Sequence, residues 1–223
     1  MRILLPKNHF MNEKTIELEL RAEILSRDQE VLKKYLEGMG VLHSHTRRLS
    51  VMCFGDIGTK KLDVRIRIMN GECEVVIKSG SFGAHNRVEV AQKINTNEFL
   101  GMVKIFAQFG FVMEVGERET FNYTLPNNIT VSLVSAGPIS YIELEKMSSE
   151  TEVEKNNEQL KQYADQLELQ LIQSEAEFNT LCKRLTKEVD WPFHGTREEY
   201  IRLRKLVNYY TNKQKKTTKS QWT

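Results

Sequence analysis

The chain has 223 residues, 40% hydrophobic and 28% charged, enough for a sizeable core in one large domain or one domain with an appendage. Its 32 basic and 30 acidic side chains leave a net charge of +2, so no overall basic field recommends nucleic acid as a default partner. Cys53, Cys73 and Cys182 are sparse, odd in number and match no zinc spacing, and no apolar run reaches signal-peptide or membrane length. The expectation is a cytoplasmic protein with reduced thiols and no membrane partner.

Residues 1–14 read as a polar lead-in interrupted by Pro6. The stretch TIELELRAEI then alternates, with Ile16, Leu18, Leu20, Ala22 and Ile24 on one face and Glu17, Glu19, Arg21 and Glu23 on the other. That period predicts a strand. Ser26 is placed to cap a helix through about residue 39, which Gly38 and Gly40 end. VLHSHTRRLSVMCF is a long, uneven strand candidate, and GDIG reads as the following turn. LDVRIRIM alternates cleanly, Asn70-Gly71 is a hairpin signal into ECEVVIKSG, and RVEVAQKI makes another strand. An amphipathic helix follows, capped by Asn95 or Thr96 and stopped by Gly110. Residues 111–124, 129–135 and 139–147 complete about eight strands, a number that suggests a barrel or a strongly curved sheet. After Met147 the chain is expected to be helical, with a first stripe of Val153, Leu160, Tyr163, Leu167 and Leu171 and a second helix near 174–188. Trp191-Pro192 interrupts before a last helix, and a basic tail from residue 211 is expected to be disordered.

The face opposite the apolar residues carries the chemistry. Like charges stand two apart at Glu17/Glu19, Arg65/Arg67 and Glu143/Glu145. Side chains at i and i+2 share a face at roughly 7 Å, where uncompensated like charges repel. A bound ion offsets that cost. Paired carboxylates suit a hard cation such as Mg²⁺ or Mn²⁺, and arginine forks suit phosphate oxygens. A single such pair is more often a solvated sheet face. His43 and His45 share a face and read as a partly exposed structural pair, while Asp56 reads as a turn former.

The order of these motifs resembles the CYTH superfamily of triphosphate tunnel metalloenzymes. Its opening E-x-E-x-K stands as Glu17-Leu18-Glu19-Leu20-Arg21, its R-x-R strand as Arg65-Ile66-Arg67 and its lysine strand ends on Lys78. Arg87-Val88-Glu89-Val90-Ala91 matches part of its R-x-E-x-E, Glu117-Arg118 its later basic strand, and Glu143-Leu144-Glu145 its late E-x-E. The resemblance implies an α+β fold built on a closed eight-stranded antiparallel β-barrel over 15–147, with C-terminal helices over 148–210. It implies Mg²⁺ or Mn²⁺ held by Glu17, Glu19, Glu143 and Glu145, phosphate held by Arg65, Arg67, Lys78, Arg87 and Arg118, and Glu89 and Arg21 at the reacting centre. The implied activity is metal-dependent hydrolysis of tripolyphosphate, thiamine triphosphate or ATP, in a monomer or homodimer. Alternatives are a class IV-type adenylyl cyclase, an RNA 5′-triphosphatase, or a catalytically weak polyphosphate- or nucleotide-binding protein. Four positions depart from the pattern: Arg21 for lysine, Ala91 for a second acid, Glu117 for a base, and no acid across 131–135, where the family has an aspartate.

Overall fold

The computed structural model describes residues 16–25, 28–79 and 88–212. The lead-in, the Ser26 cap and Arg87 lie outside them, as does the tail beyond Asn212. The strands are β1 (Ile16–Ile24), β2 (Val41–Ile57), β3 (Lys60–Met69), β4 (Glu72–Ser79), β5 (Val88–Ile94), β6 (Val112–Leu125), β7 (Ile129–Ala136), β8 (Ile139–Ser148) and the two-residue β9 (Trp191–Pro192). The helices are α1 (Gln29–Met39), α2 (Phe99–Ala107), α3 (Val153–Gln166), α4 (Glu175–Glu188) and α5 (Arg197–Asn212). No described helix is long and apolar enough to cross a membrane.

All strand pairings are antiparallel, in the order β1-β8-β7-β6-β2-β3-β4-β5, with β9 alongside β6. The period-two pattern decides what each face does. One face buries two apolar clusters: Leu49, Val51, Val64, Ile66 and Ile68 meet Phe99, Val103, Leu203 and Val207 of α2 and α5, and Leu18, Leu133, Ile142 and Leu144 meet Leu36 and Leu160 of α1 and α3. The alternate residues of the same strands carry the charges.

Four expectations change. The sheet is not closed by hydrogen bonds among the described residues, because β1 and β5 end the pairing order without pairing each other. Instead, Leu171 bridges Ala22, and Ile172 N–H donates to the Arg21 carbonyl at 2.8 Å. Leu171 is therefore a strand partner, not part of a helical stripe: Glu168 adopts a left-handed φ of 52° just after α3, and the chain leaves the helix there. The GDIG turn is also displaced. Asp56 pairs with Lys61 inside the β2–β3 ladder, and Gly58, at φ 61°, makes the reversal. Finally, α5 continues through Thr211 and Asn212, where the Thr211 hydroxyl bonds the Val207 carbonyl at 2.8 Å. The Asn95 cap holds as expected, with Glu98 accepting from the Asn95 N–H at 2.7 Å.

Candidate active site on the charged face of the sheet

Strands β1 and β8 bring the acids together. Their register sets Glu19 opposite Glu145 and Arg21 opposite Glu143. Carboxylate oxygens of Glu19, Glu143 and Glu145 lie within 4.8 Å of one another. Three oxygen donors at that separation fit a hard divalent cation such as Mg²⁺ or Mn²⁺. Glu17 is one pleat further along and is not in this trio; with Asn128, Thr130, Glu145, Lys146 and Met147 it lines an open recess of about 240 Å³. Arg21 holds two members of the trio, at 2.5 Å to Glu19 and 3.0 Å to Glu143, and its guanidinium lies 4.6 Å over the Phe178 ring of α4. Burial opposes that charge, but Glu143 and Glu19 outweigh it and raise the Arg21 pKa, so it is no proton acceptor.

Crowding of the carboxylates has a measurable consequence. Partial burial pushes Glu19 up to about 7 against the pull of Arg21, with Glu143 and Glu17 adding repulsion. Burial, then Glu143, Glu19 and Glu17, push Glu145 up to about 8. A carboxyl whose folded pKa is raised stabilises the fold fully below its unfolded value of 4.5, and that stability is lost as pH rises through about 7 for Glu19 and about 8 for Glu145. In metal-free buffer the melting temperature is therefore expected to fall across this window. Thermal unfolding at stepped pH checks it; a rise across the window would contradict the crowding.

The bases gather on β2, β3, β4 and β6. Arg65 makes a bidentate pair with Asp63 at 3.0 and 2.8 Å, and Arg67 binds Glu74 on β4 at 2.6 Å. Lys78 occupies the same face, in register with Asp63. Arg118 is buried and bidentate to Asp190, at 2.7 and 2.8 Å. It takes only the backbone carbonyl of Glu117, at 3.0 Å; the Glu117 carboxylate points to the helical side and accepts from Tyr210 at 2.9 Å. Arg48, opposite Arg118 across the β2–β6 ladder, has a buried Nε with no hydrogen-bond partner. Burial lowers its pKa to about 10, and Arg65, Arg67 and Arg118 add repulsion.

The segment 171–190 lies over this charged face. Beyond the Phe178 contact, Arg184 reaches Glu23 of β1 at 2.5 Å and Thr186 reaches Glu114 of β6 at 3.1 Å. Asp190 then comes down beside Gly116, where a Cβ would collide with the Asp190 carboxylate and the Arg118 guanidinium. Glycine is required there by space.

The remaining assignments separate cleanly. Glu89 holds a β5 position opposite Lys78. His45 stacks on Phe121 with centroids 4.2 Å apart and bonds Glu119 at 2.7 Å on the helical side, and His43 is exposed beside a bulge, so neither joins the charged face. In place of an acid on β7, Ser132 stands opposite Glu143, and its hydroxyl donates to Asn122 at 2.8 Å.

No family model matches the chain, and no curated protein matches it in sequence. Solved structures do match in shape. PH1012 from Pyrococcus horikoshii aligns with a TM-score of 0.54 at 20% identity, over 73% of this chain and 93% of that one. A conserved hypothetical protein from Pyrococcus furiosus gives 0.53 at 19%, over 72% and 93%. HpAC1 from Hippeastrum, described as revealing a dominant triphosphatase activity, gives 0.54 at 15%, over 76% and 96%. The chain shares the fold of these three proteins.

Within this fold, sequence reading missed Asp190 and Arg48. Asp190 lies 72 residues from its partner in an irregular segment, with no periodic signal to announce it. Arg48 sits beside Arg47 in an uneven strand, and a one-residue change of register exchanges their faces. The pairing Arg47–Glu119 at 2.9 Å, on the helical side, settles which of the two points the other way.

Proposed function

We propose that the charged face of the sheet is the site of a divalent-metal-dependent triphosphatase acting on inorganic or organic triphosphate. The observation that carries this reading is the convergence of Glu19, Glu143 and Glu145 on the same face as Arg48, Arg65, Arg67 and Arg118. Separate acidic and basic groups side by side answer the two halves of a metal–polyphosphate ligand. Glu19, Glu143 and Glu145 would hold Mg²⁺ or Mn²⁺, with Glu17 at the adjoining recess. A bound cation would neutralise charge on the phosphoryl oxygens and polarise them.

The chain's own groups do the positioning. Arg21 keeps Glu19 and Glu143 oriented through its two ion pairs and, remaining protonated, leaves proton removal to another group. The arginines and Lys78 align the phosphate chain and offset its charge, which is most of what phosphoryl transfer asks of a protein. Burial and the neighbouring Glu143 hold Tyr141, between acids and bases, above the usual phenol range; it stays a neutral hydrogen-bond donor. In this reading the curved sheet encloses the phosphate chain as a tunnel, with α4 covering part of it.

A second reading, binding with little turnover, is favoured by Ser132 at the acid's position and by Arg118 being already engaged with Asp190. Incubation with tripolyphosphate, thiamine triphosphate or ATP under Mg²⁺ or Mn²⁺, following orthophosphate and cyclic AMP, decides. Metal-dependent orthophosphate release is expected. Cyclic AMP would make the protein a cyclase, tight binding without turnover would support the second reading, and neither binding nor turnover would reject both.

A further inference from the structure

Three of the four arginines that β2, β3 and β6 place on the charged face carry a counter-ion from the chain itself. Arg65 has Asp63, Arg67 has Glu74 and Arg118 has Asp190, each within 3.0 Å. These pairs hold the guanidinium groups in place and cancel their charge locally. Arg48 differs. No carboxylate pairs with it among the described residues, and its Nε is buried without an acceptor. Apart from the Tyr141 phenol, the groups that act on its charge are cationic, Arg65, Arg67 and Arg118. A buried donor left unmade costs the desolvation of that group, and crowding a cation with other cations adds to that cost. Such a position is stable when an anion completes it.

We infer that Arg48 is an anion contact in addition to the arginines of the R-x-R strand, binding a non-bridging phosphoryl oxygen at the β2–β6 seam beside Arg118. This deepens the triphosphate reading and rests on it. The three paired arginines then act as a preorganised wall whose charges the chain has already balanced, and Arg48 supplies the uncompensated positive charge that the ligand meets. No sequence motif marks it. Its role follows from what its neighbours already hold.

The inference separates from a merely structural role by the sign of a stability change. Thermal unfolding of the parent and of Arg48→Met, in EDTA with and without tripolyphosphate, reads both effects. The free variant is expected to melt above the parent, because an apolar side chain replaces an unsatisfied donor. Its tripolyphosphate affinity, measured by calorimetry, is expected to fall at least about tenfold, as for a lost charge-assisted hydrogen bond. Arg67→Met is the contrast: it leaves Glu74 without its partner and should melt below the parent. Should Arg48→Met not fold, Arg48→Gln carries the binding measurement. A parent that binds tripolyphosphate while the Arg48 variant binds equally well overturns the inference and spares the triphosphate reading. Lower melting of free Arg48→Met than of the parent also overturns it. A parent that does not bind tripolyphosphate removes the reading and the inference together.

Discussion

Asp190→Ala is expected to cost about 3–5 kcal/mol of folding stability, the largest effect of any single substitution considered. The side chains of Arg118 and Asp190 are 9% and 3% exposed, and their two hydrogen bonds are parallel and short. Removing the carboxylate leaves a buried guanidinium facing Arg48 across the ladder with nothing to balance it. The loss is much greater than for an exposed pair such as Lys93–Glu72, whose side chains are 77% and 72% exposed. Denaturant unfolding measures it. Because the cost comes from stranding one charge, replacing both partners, Arg118→Met with Asp190→Leu, should recover most of the loss. A loss below about 1 kcal/mol for Asp190→Ala would mean that solvent screens the pair.

Glu143→Gln is expected to lower metal-dependent turnover by about a hundredfold or more, with little change in fold. Glu143 belongs to the carboxylate trio and also fixes Arg21, so the substitution removes a ligand charge and loosens the group that orients Glu19. The amide keeps the shape and can still sit opposite Ser132. Its signature should be a higher metal requirement as well as slower turnover, because one anionic donor is lost. Steady-state rates across a titration of Mn²⁺ check this. Unchanged rates at every metal concentration would remove Glu143 from the site.

How much of this was legible in the sequence depended on range. Strand faces were legible because the alternation of Leu18, Ala22 and Ile24 against Glu19 and Arg21 is local, and one buried face fixes the register. The like-charge pairs were legible for the same reason, and β1–β8 pairing then assembled Glu19, Glu143 and Glu145 from segments about 120 residues apart. What failed was long-range and aperiodic. Leu171 kept helical spacing with Leu160 and Leu167, so nothing local announced that Glu168 would turn the chain into an edge partner for β1. Asp190 gave no sign because an ion pair is a property of two places. Glu17 was grouped with Glu19 by spacing, but it lies at the recess beside Glu145 and not with the trio.

The central claim is that acids and arginines on one sheet face form a single metal–triphosphate site. Isothermal titration of tripolyphosphate into the protein, with and without Mn²⁺, tests it most directly. Binding of one anion per chain, tightened by Mn²⁺ in the parent and not in Glu143→Gln, is the predicted result. Absence of tripolyphosphate binding with Mn²⁺ present, by a folded parent protein, would contradict it.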